Sequence, residues 1–138
     1  MSLDKKLTML VDDDSTCNSL SKILLKRVFS ADEKNEVKII SFDKPVEGLK
    51  FLTEALIDYK FQKILILLDI NMPLMTGWEF IAEYAGLPKT QTDVTIYILT
   101  SSVSKADMDS AKENLYVEDF ISKPLTPEII ETLYEKMK

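Results

Sequence analysis

Five short runs rich in apolar residues recur along the chain, with room for one helix after each, and four of them lead straight into chemically active side chains. Leu7-Thr8-Met9-Leu10-Val11 leads into Asp12 and Asp13, and Ile64-Leu65-Ile66-Leu67-Leu68 into Asp69. Val94-Thr95-Ile96-Tyr97-Ile98-Leu99 leads into Thr100, and Phe120-Ile121-Ser122 into Lys123. The remaining run is Val37-Lys38-Ile39-Ile40-Ser41-Phe42. Between them, apolar residues return at helical spacing: Leu20, Ile23, Leu24 and Val28; Val46, Leu49, Leu52 and Leu56; Phe80, Ile81 and Tyr84; Met108, Ala111 and Leu115; Ile129, Ile130, Leu133 and Met137. Five strand–helix units in succession predict an α/β fold, a doubly wound parallel sheet covered by helices on both faces, because each right-handed crossover must lie over the sheet. The runs ending at Asp69 and Thr100 are almost wholly apolar, as strands buried on both faces should be.

Boundary signals agree with this division. Asp43 reads as a helix cap with Pro45 in the first turn, and Gly86 and Pro88 end the third helix. Ser104 with Asp107 three residues on resembles a capping pair, and Thr126-Pro127-Glu128 opens the last helix. Residues 30–36, four of the seven charged, and residues 89–93 read as exposed loops.

Composition narrows the chemistry. The chain has 138 residues, enough for one domain with its own core. Seventeen basic against twenty-three acidic residues give a net charge of −6, which argues against nucleic acid as a direct partner. With no histidine, imidazole acid/base catalysis is excluded and zinc sites are disfavoured. Cys17 stands alone, so no internal disulfide forms; it reads as a packed or half-exposed thiol without an activating base. No run approaches the roughly 20 apolar residues of a membrane span, and the first residues carry no signal-peptide core, so a cytoplasmic protein without a membrane partner is expected.

If the runs are neighbouring parallel strands, Asp12, Asp13, Asp69, Thr100 and Lys123 converge at the carboxyl edge of the sheet, where open α/β sheets bind ligands. Three carboxylates suit a hard divalent cation, Mg²⁺ or Mn²⁺. Asp13 and Asp69 are candidate direct ligands, with Asp12 acting through a water and the Asn71 backbone carbonyl as a further ligand. Clustered carboxylates repel, so at least one should have a raised pKa. Asp69 suits the nucleophile of a phosphoryl transfer, assisted by the cation, the Lys123 ammonium and the Thr100 hydroxyl. Ser101 is small enough to leave the approach open. The Lys123-Pro124 pair restricts the backbone before the proline and is compatible with a cis bond.

These residues resemble the receiver domain of two-component response regulators. Val11-Asp12-Asp13-Asp14 looks like that family's acidic pair, and Leu68-Asp69-Ile70-Asn71-Met72-Pro73-Leu74-Met75-Thr76-Gly77 is similar to its phosphoacceptor segment. Leu99-Thr100-Ser101 and Ser122-Lys123-Pro124-Leu125-Thr126 are like its hydroxyl and lysine motifs. The resemblance implies a flavodoxin-like (βα)5 sheet in strand order 2-1-3-4-5. It also implies Mg²⁺-dependent transfer of a phosphoryl group onto Asp69 from a histidine kinase or histidine phosphotransfer protein. Thr100 and Phe120 would act as the switch pair, changing a surface that binds a downstream protein. Asn71 and Ser102 would flank the path of hydrolytic water. Fifteen residues after Lys123 suffice for one helix, so residues 1–138 are expected to form one stand-alone receiver without an output domain, as a monomer or weak homodimer.

Two other readings compete. A phosphatase of the haloacid dehalogenase type shares the nucleophile and the cation, but it carries a second acid two residues after the nucleophile, where this chain has Asn71. The alternative is a phosphorylation-independent protein-binding module on the same fold. A turnover enzyme is not expected.

Overall fold

The computed structural model describes residues 5–101 and 104–138. Ten elements alternate along the chain: β1 (Lys6–Val11), α1 (Ser15–Phe29), β2 (Val37–Phe42), α2 (Pro45–Ile57), β3 (Lys63–Leu68), α3 (Gly77–Ala85), β4 (Asp93–Thr100), α4 (Lys105–Glu113), β5 (Val117–Ser122) and α5 (Pro127–Lys136). The strands form one parallel sheet in the order β2-β1-β3-β4-β5, as expected for a flavodoxin-like fold. Val11 lies opposite Phe42 and Leu68, and Leu68 opposite Ile98, so the strands next to Asp12 and Asp69 end level. Among the described residues no helix is long and apolar enough to cross a membrane.

Side chains alternate along each strand into two apolar layers. One holds Leu7, Met9, Val11, Ile64, Ile66 and Leu68 with Leu52, Leu56, Phe80 and Ile81 of α2 and α3. The other holds Leu10, Leu65, Leu67 and Leu99 with Leu25 and Phe29 of α1, Ile130 and Leu133 of α5, and Met137 just after it.

The helices turn differently from their apolar spacing in three places. On α1, Leu20 and Ile23 remain about half exposed, while Asn18, Ser21, Leu25 and Phe29 face inward. Leu25 and Phe29 bury fully on this stripe, about 1.5–3 kcal/mol each, and Asn18 finds hydrogen-bond partners at the strand ends. On α2, Val46 is exposed and the cap falls at Lys44 without a side-chain hydrogen bond, not at Asp43. Pro45 sets the first helical residue and holds the residue before it extended, which fixes the boundary. Helix α4 stops at Glu113 rather than reaching Leu115. Asn114 is extended and its side chain accepts the Tyr116 N–H at 2.9 Å, a local turn that competes with the helix and leaves Leu115 97% exposed.

The two expected loops are less free than their composition suggests. In residues 30–36 the Tyr134 hydroxyl donates to Asp32 at 2.9 Å, and Asn35 donates to the Met137 carbonyl at 3.1 Å, fastening the end of α5. In residues 89–93 Thr92 is buried, its hydroxyl donating to the Phe61 carbonyl at 2.9 Å.

Candidate functional site

The acidic turn is built by four local hydrogen bonds. Asp14 caps α1, accepting from the backbone of Thr16 and Cys17 at 3.0 and 3.1 Å. Its own N–H donates to the Asp12 carboxylate at 2.9 Å. Asn18 reaches back from the first turns of α1 and donates to the Asp12 carbonyl at 2.8 Å. Sequence reasoning passed over Asn18; its one signal is a poor helix former on a buried stripe.

Asp69 emerges from β3 beside this turn, where its N–H donates to the Val11 carbonyl at 2.9 Å. Its carboxylate accepts the Ile70 N–H at 2.9 Å. The following loop is held close: the Gly77 N–H donates to the Ile70 carbonyl at 2.8 Å, and a Cβ on Gly77 would stand 2.6 Å from the Asp69 carbonyl oxygen. Only glycine lets α3 start this near the Asp69 backbone. Within the loop, Leu74 sits at φ 71 and is almost wholly exposed. Met75 N–H donates to the Pro73 carbonyl at 2.8 Å across it, a γ-turn that L-residues adopt with strain. Trp78, next after Gly77, donates its indole N–H to Asp107 of α4 at 3.2 Å, a second tie that sequence reasoning did not anticipate.

Carboxylate oxygens of Asp12, Asp13 and Asp69 lie within 4.8 Å of one another, with Asp12 and Asp69 buried and Asp13 exposed. This oxygen-donor cluster fits a hard divalent cation. Lys123 follows β5, its N–H donating to the Thr100 carbonyl at 2.9 Å, and the Lys123–Pro124 bond is cis. Its ammonium is ion-paired with Asp12 and lies 3.7 Å from Asp69. Thr100, the last residue of β4, is buried and hydrogen-bonds to Asp69. Asn71 is exposed in the loop after Asp69, and Ser101 is exposed after Thr100. Phe120 is half-buried, packed against the first apolar layer. Ser102 lies outside the described residues. The structure thus brings Asp12, Asp13, Asp69, Thr100 and Lys123 together at one edge.

The electrostatics follow from this packing. Burial and then the nearby Asp12 charge raise the Asp69 carboxyl above its ordinary value, against the opposing effects of Lys123, Thr100 and the Ile70 N–H. One carboxyl of the cluster is therefore raised, as expected. Burial works against the Lys123 ammonium, but its hydrogen bond and charge interaction with Asp12, with help from Asp69, keep its pKa above the ordinary lysine value. Burial also pushes the Cys17 thiol up, consistent with an unreactive side chain.

A family model described as the response regulator receiver domain matches residues 8–135. The transcriptional regulatory protein FlgR of Helicobacter pylori is 32% identical over 106 residues, covering 76% of this chain and 24% of that protein. The chain spans about a quarter of the length of the curated relatives it matches. A two-component response regulator from Cytophaga hutchinsonii superimposes with a TM-score of 0.79 at 26% identity, covering 96% of both chains. The Mn²⁺-bound form of response regulator Rcp1 has the same fold, with a TM-score of 0.64 at 21% identity over 94% of this chain and 90% of that one.

Proposed function

The chain belongs to the response regulator receiver family, whose members are signalling domains of two-component systems, and from that premise we propose that Asp69 accepts a phosphoryl group from a phosphohistidine. The donor is a histidine kinase or a histidine phosphotransfer protein. The observation that carries this reading is the convergence of three carboxylates within 4.8 Å at the sheet edge, with the Lys123 ammonium paired to Asp12 and 3.7 Å from Asp69.

An Asp69 carboxylate oxygen forms a bond to phosphorus as the donor's P–N bond breaks, and the imidazole leaves with that electron pair and takes up a proton. Lys123 neutralises charge on one phosphoryl oxygen, and the Thr100 hydroxyl donates to another. Mg²⁺ or Mn²⁺, held by Asp12, Asp13, Asp69 and the Asn71 backbone carbonyl, supplies the remaining charge neutralisation when bound. Thr100 then moves toward the acyl phosphate and Phe120 changes rotamer. The responding surface is α4, β5 and α5, where Met108, Ala111, Val117 and Phe120 line a groove of about 520 Å³. Helix α4 buries only Ala111 among its described residues, so little packing opposes its displacement. The domain is a switch rather than a turnover enzyme, acts in the cytoplasm, and passes its signal to a downstream protein.

Intact-mass measurement after incubation with Mg²⁺ and acetyl phosphate tests the proposal. One phosphoryl adduct, lost on standing and absent from Asp69→Asn, is the expected result. No adduct on a protein that binds Mg²⁺ would favour a phosphorylation-independent binding module.

A further inference from the structure

Asn18 is buried at 4% exposure, yet its position in α1 gives no helical reason for a carboxamide. Helix α1 is already capped by Asp14, and the residues that share its inward stripe include Leu25 and Phe29. A buried carboxamide costs stability unless its donors are used. Here its Nδ2 donates to two strand-end carbonyls, Asp12 at 2.8 Å and Phe42 at 3.3 Å. The Asp12 N–H also donates to the Phe42 carbonyl, at 3.1 Å.

The Asp12 carbonyl is one half of the planar peptide that carries Asp13 at its other end. Rotating that plane would swing the Asp13 side chain. The two acids are held by different means. The Asp12 carboxylate is oriented directly, by the Asp14 N–H at 2.9 Å and by Lys123. Asp13 is exposed, and no described residue hydrogen-bonds its carboxylate, so its direction is inherited from the backbone. We propose that Asn18 is a positioning residue that sets the divalent-cation affinity of the acidic cluster by clamping the Asp12–Asp13 peptide. The proposal rests on the reading of Asp12, Asp13 and Asp69 as a cation site. Groups that orient ligands from behind typically change metal affinity by about 10- to 100-fold when removed.

A matched control exists at the far edge of the sheet. Thr92 is also buried, and its hydroxyl also donates to a backbone carbonyl, that of Phe61 at 2.9 Å. Asn18→Leu and Thr92→Val each remove a buried side-chain donor from a carbonyl, but only the first touches the acidic turn. Mg²⁺ alone is titrated calorimetrically into wild type and both variants, and thermal midpoints are recorded in chelator. Both midpoints are expected to fall. Mg²⁺ affinity is expected to drop at least about tenfold in Asn18→Leu and to stay within about twofold of wild type in Thr92→Val. If Asn18→Leu does not fold, Asn18→Ala replaces it. Wild-type affinity in the Asn18 variant would overturn the proposal. So would an affinity loss in Thr92→Val proportional to its loss of stability, since the effect would then be global. A wild type that takes up no Mg²⁺ would overturn the cation site itself, a result distinct from a binding wild type indifferent to Asn18.

Discussion

At the amino ends of the strands the polar groups close on one another, whereas at the carboxyl ends charged groups crowd together. The amino edge joins Gln62 N–H to the Lys5 carbonyl at 2.7 Å, Asp93 N–H to the Gln62 carbonyl at 2.9 Å, and the Thr92 hydroxyl to Phe61. Tyr84 and Tyr116 pack edge to face above it, with centroids 5.7 Å apart. The carboxyl edge gathers three carboxylates and one ammonium. Each edge also holds a non-glycine residue at positive φ, under different terms. Tyr59, at φ 47, ends α2 with its own N–H on the Leu56 carbonyl and the Lys60 N–H on the Ala55 carbonyl, ordinary helix-terminating bonds. Leu74 occupies a strained γ-turn with its side chain in water. The same five strands thus concentrate satisfied bonds at one end and place charge and strain at the other, where binding energy can relieve them.

The contrast is tested most severely at Asp69. Asp69→Asn should abolish the acetyl-phosphate adduct while leaving the fold intact. It should also stabilise the chelated protein. A carboxyl raised in the folded state contributes stability that is fully present below its unfolded pKa and is lost as pH rises through the raised value. Ionised Asp69 therefore opposes folding at neutral pH, and the variant's gain in urea midpoint should be largest near neutrality and shrink toward zero in acid. A gain independent of pH would contradict this account.

Lys123→Met comes next. It strands the buried Asp12 and Asp69 carboxylates and should cost about 3 kcal/mol in chelator by urea denaturation. Because the ammonium already engages Asp12, its loss should raise Mg²⁺ affinity in a calorimetric titration; a lower affinity would show that Lys123 helps the cation rather than competing with it.

The two ends of α3 offer a paired test. Gly77→Ala drives a Cβ against the Asp69 backbone and should cost about 2 kcal/mol as well as slowing adduct formation. Gly86→Ala, whose Cβ would meet only the Glu83 carbonyl at 3.6 Å, should be neutral or slightly stabilising. Equal losses at both positions, read from urea midpoints, would erase the distinction. Smallest, Leu74→Gly should gain about 1 kcal/mol by relaxing the turn. Tyr59→Gly should gain less, because half-buried Tyr59 gives up packing.

Much of this was legible from residue order. Asp12, Asp69, Thr100 and Lys123 each end or directly follow a strand, and a parallel sheet leaves its strand ends on one edge, so these four were placed by pattern alone. Helix faces were less legible. Counting apolar residues favoured Leu20 and Ile23 on α1, but the fold turned Asn18 and Ser21 inward with Leu25 and Phe29. Leu115 continued the helical spacing of α4, yet Asn114 ended the helix with a local turn. Asn18 itself was invisible as a site residue, because its partners are carbonyls and carry no side-chain signature.

By itself, the sequence determined the succession of elements and the edge on which the acids gather. These follow from local periodicity and from backbone geometry within a few residues. Tertiary structure decided which helix faces turn inward, which carboxylate Lys123 pairs with, and what clamps the acidic turn. Those outcomes depend on strand register and helix rotation. Asp12 and Lys123 stand 111 positions apart, and their pairing exists only because β1, β3, β4 and β5 pack side by side in that order.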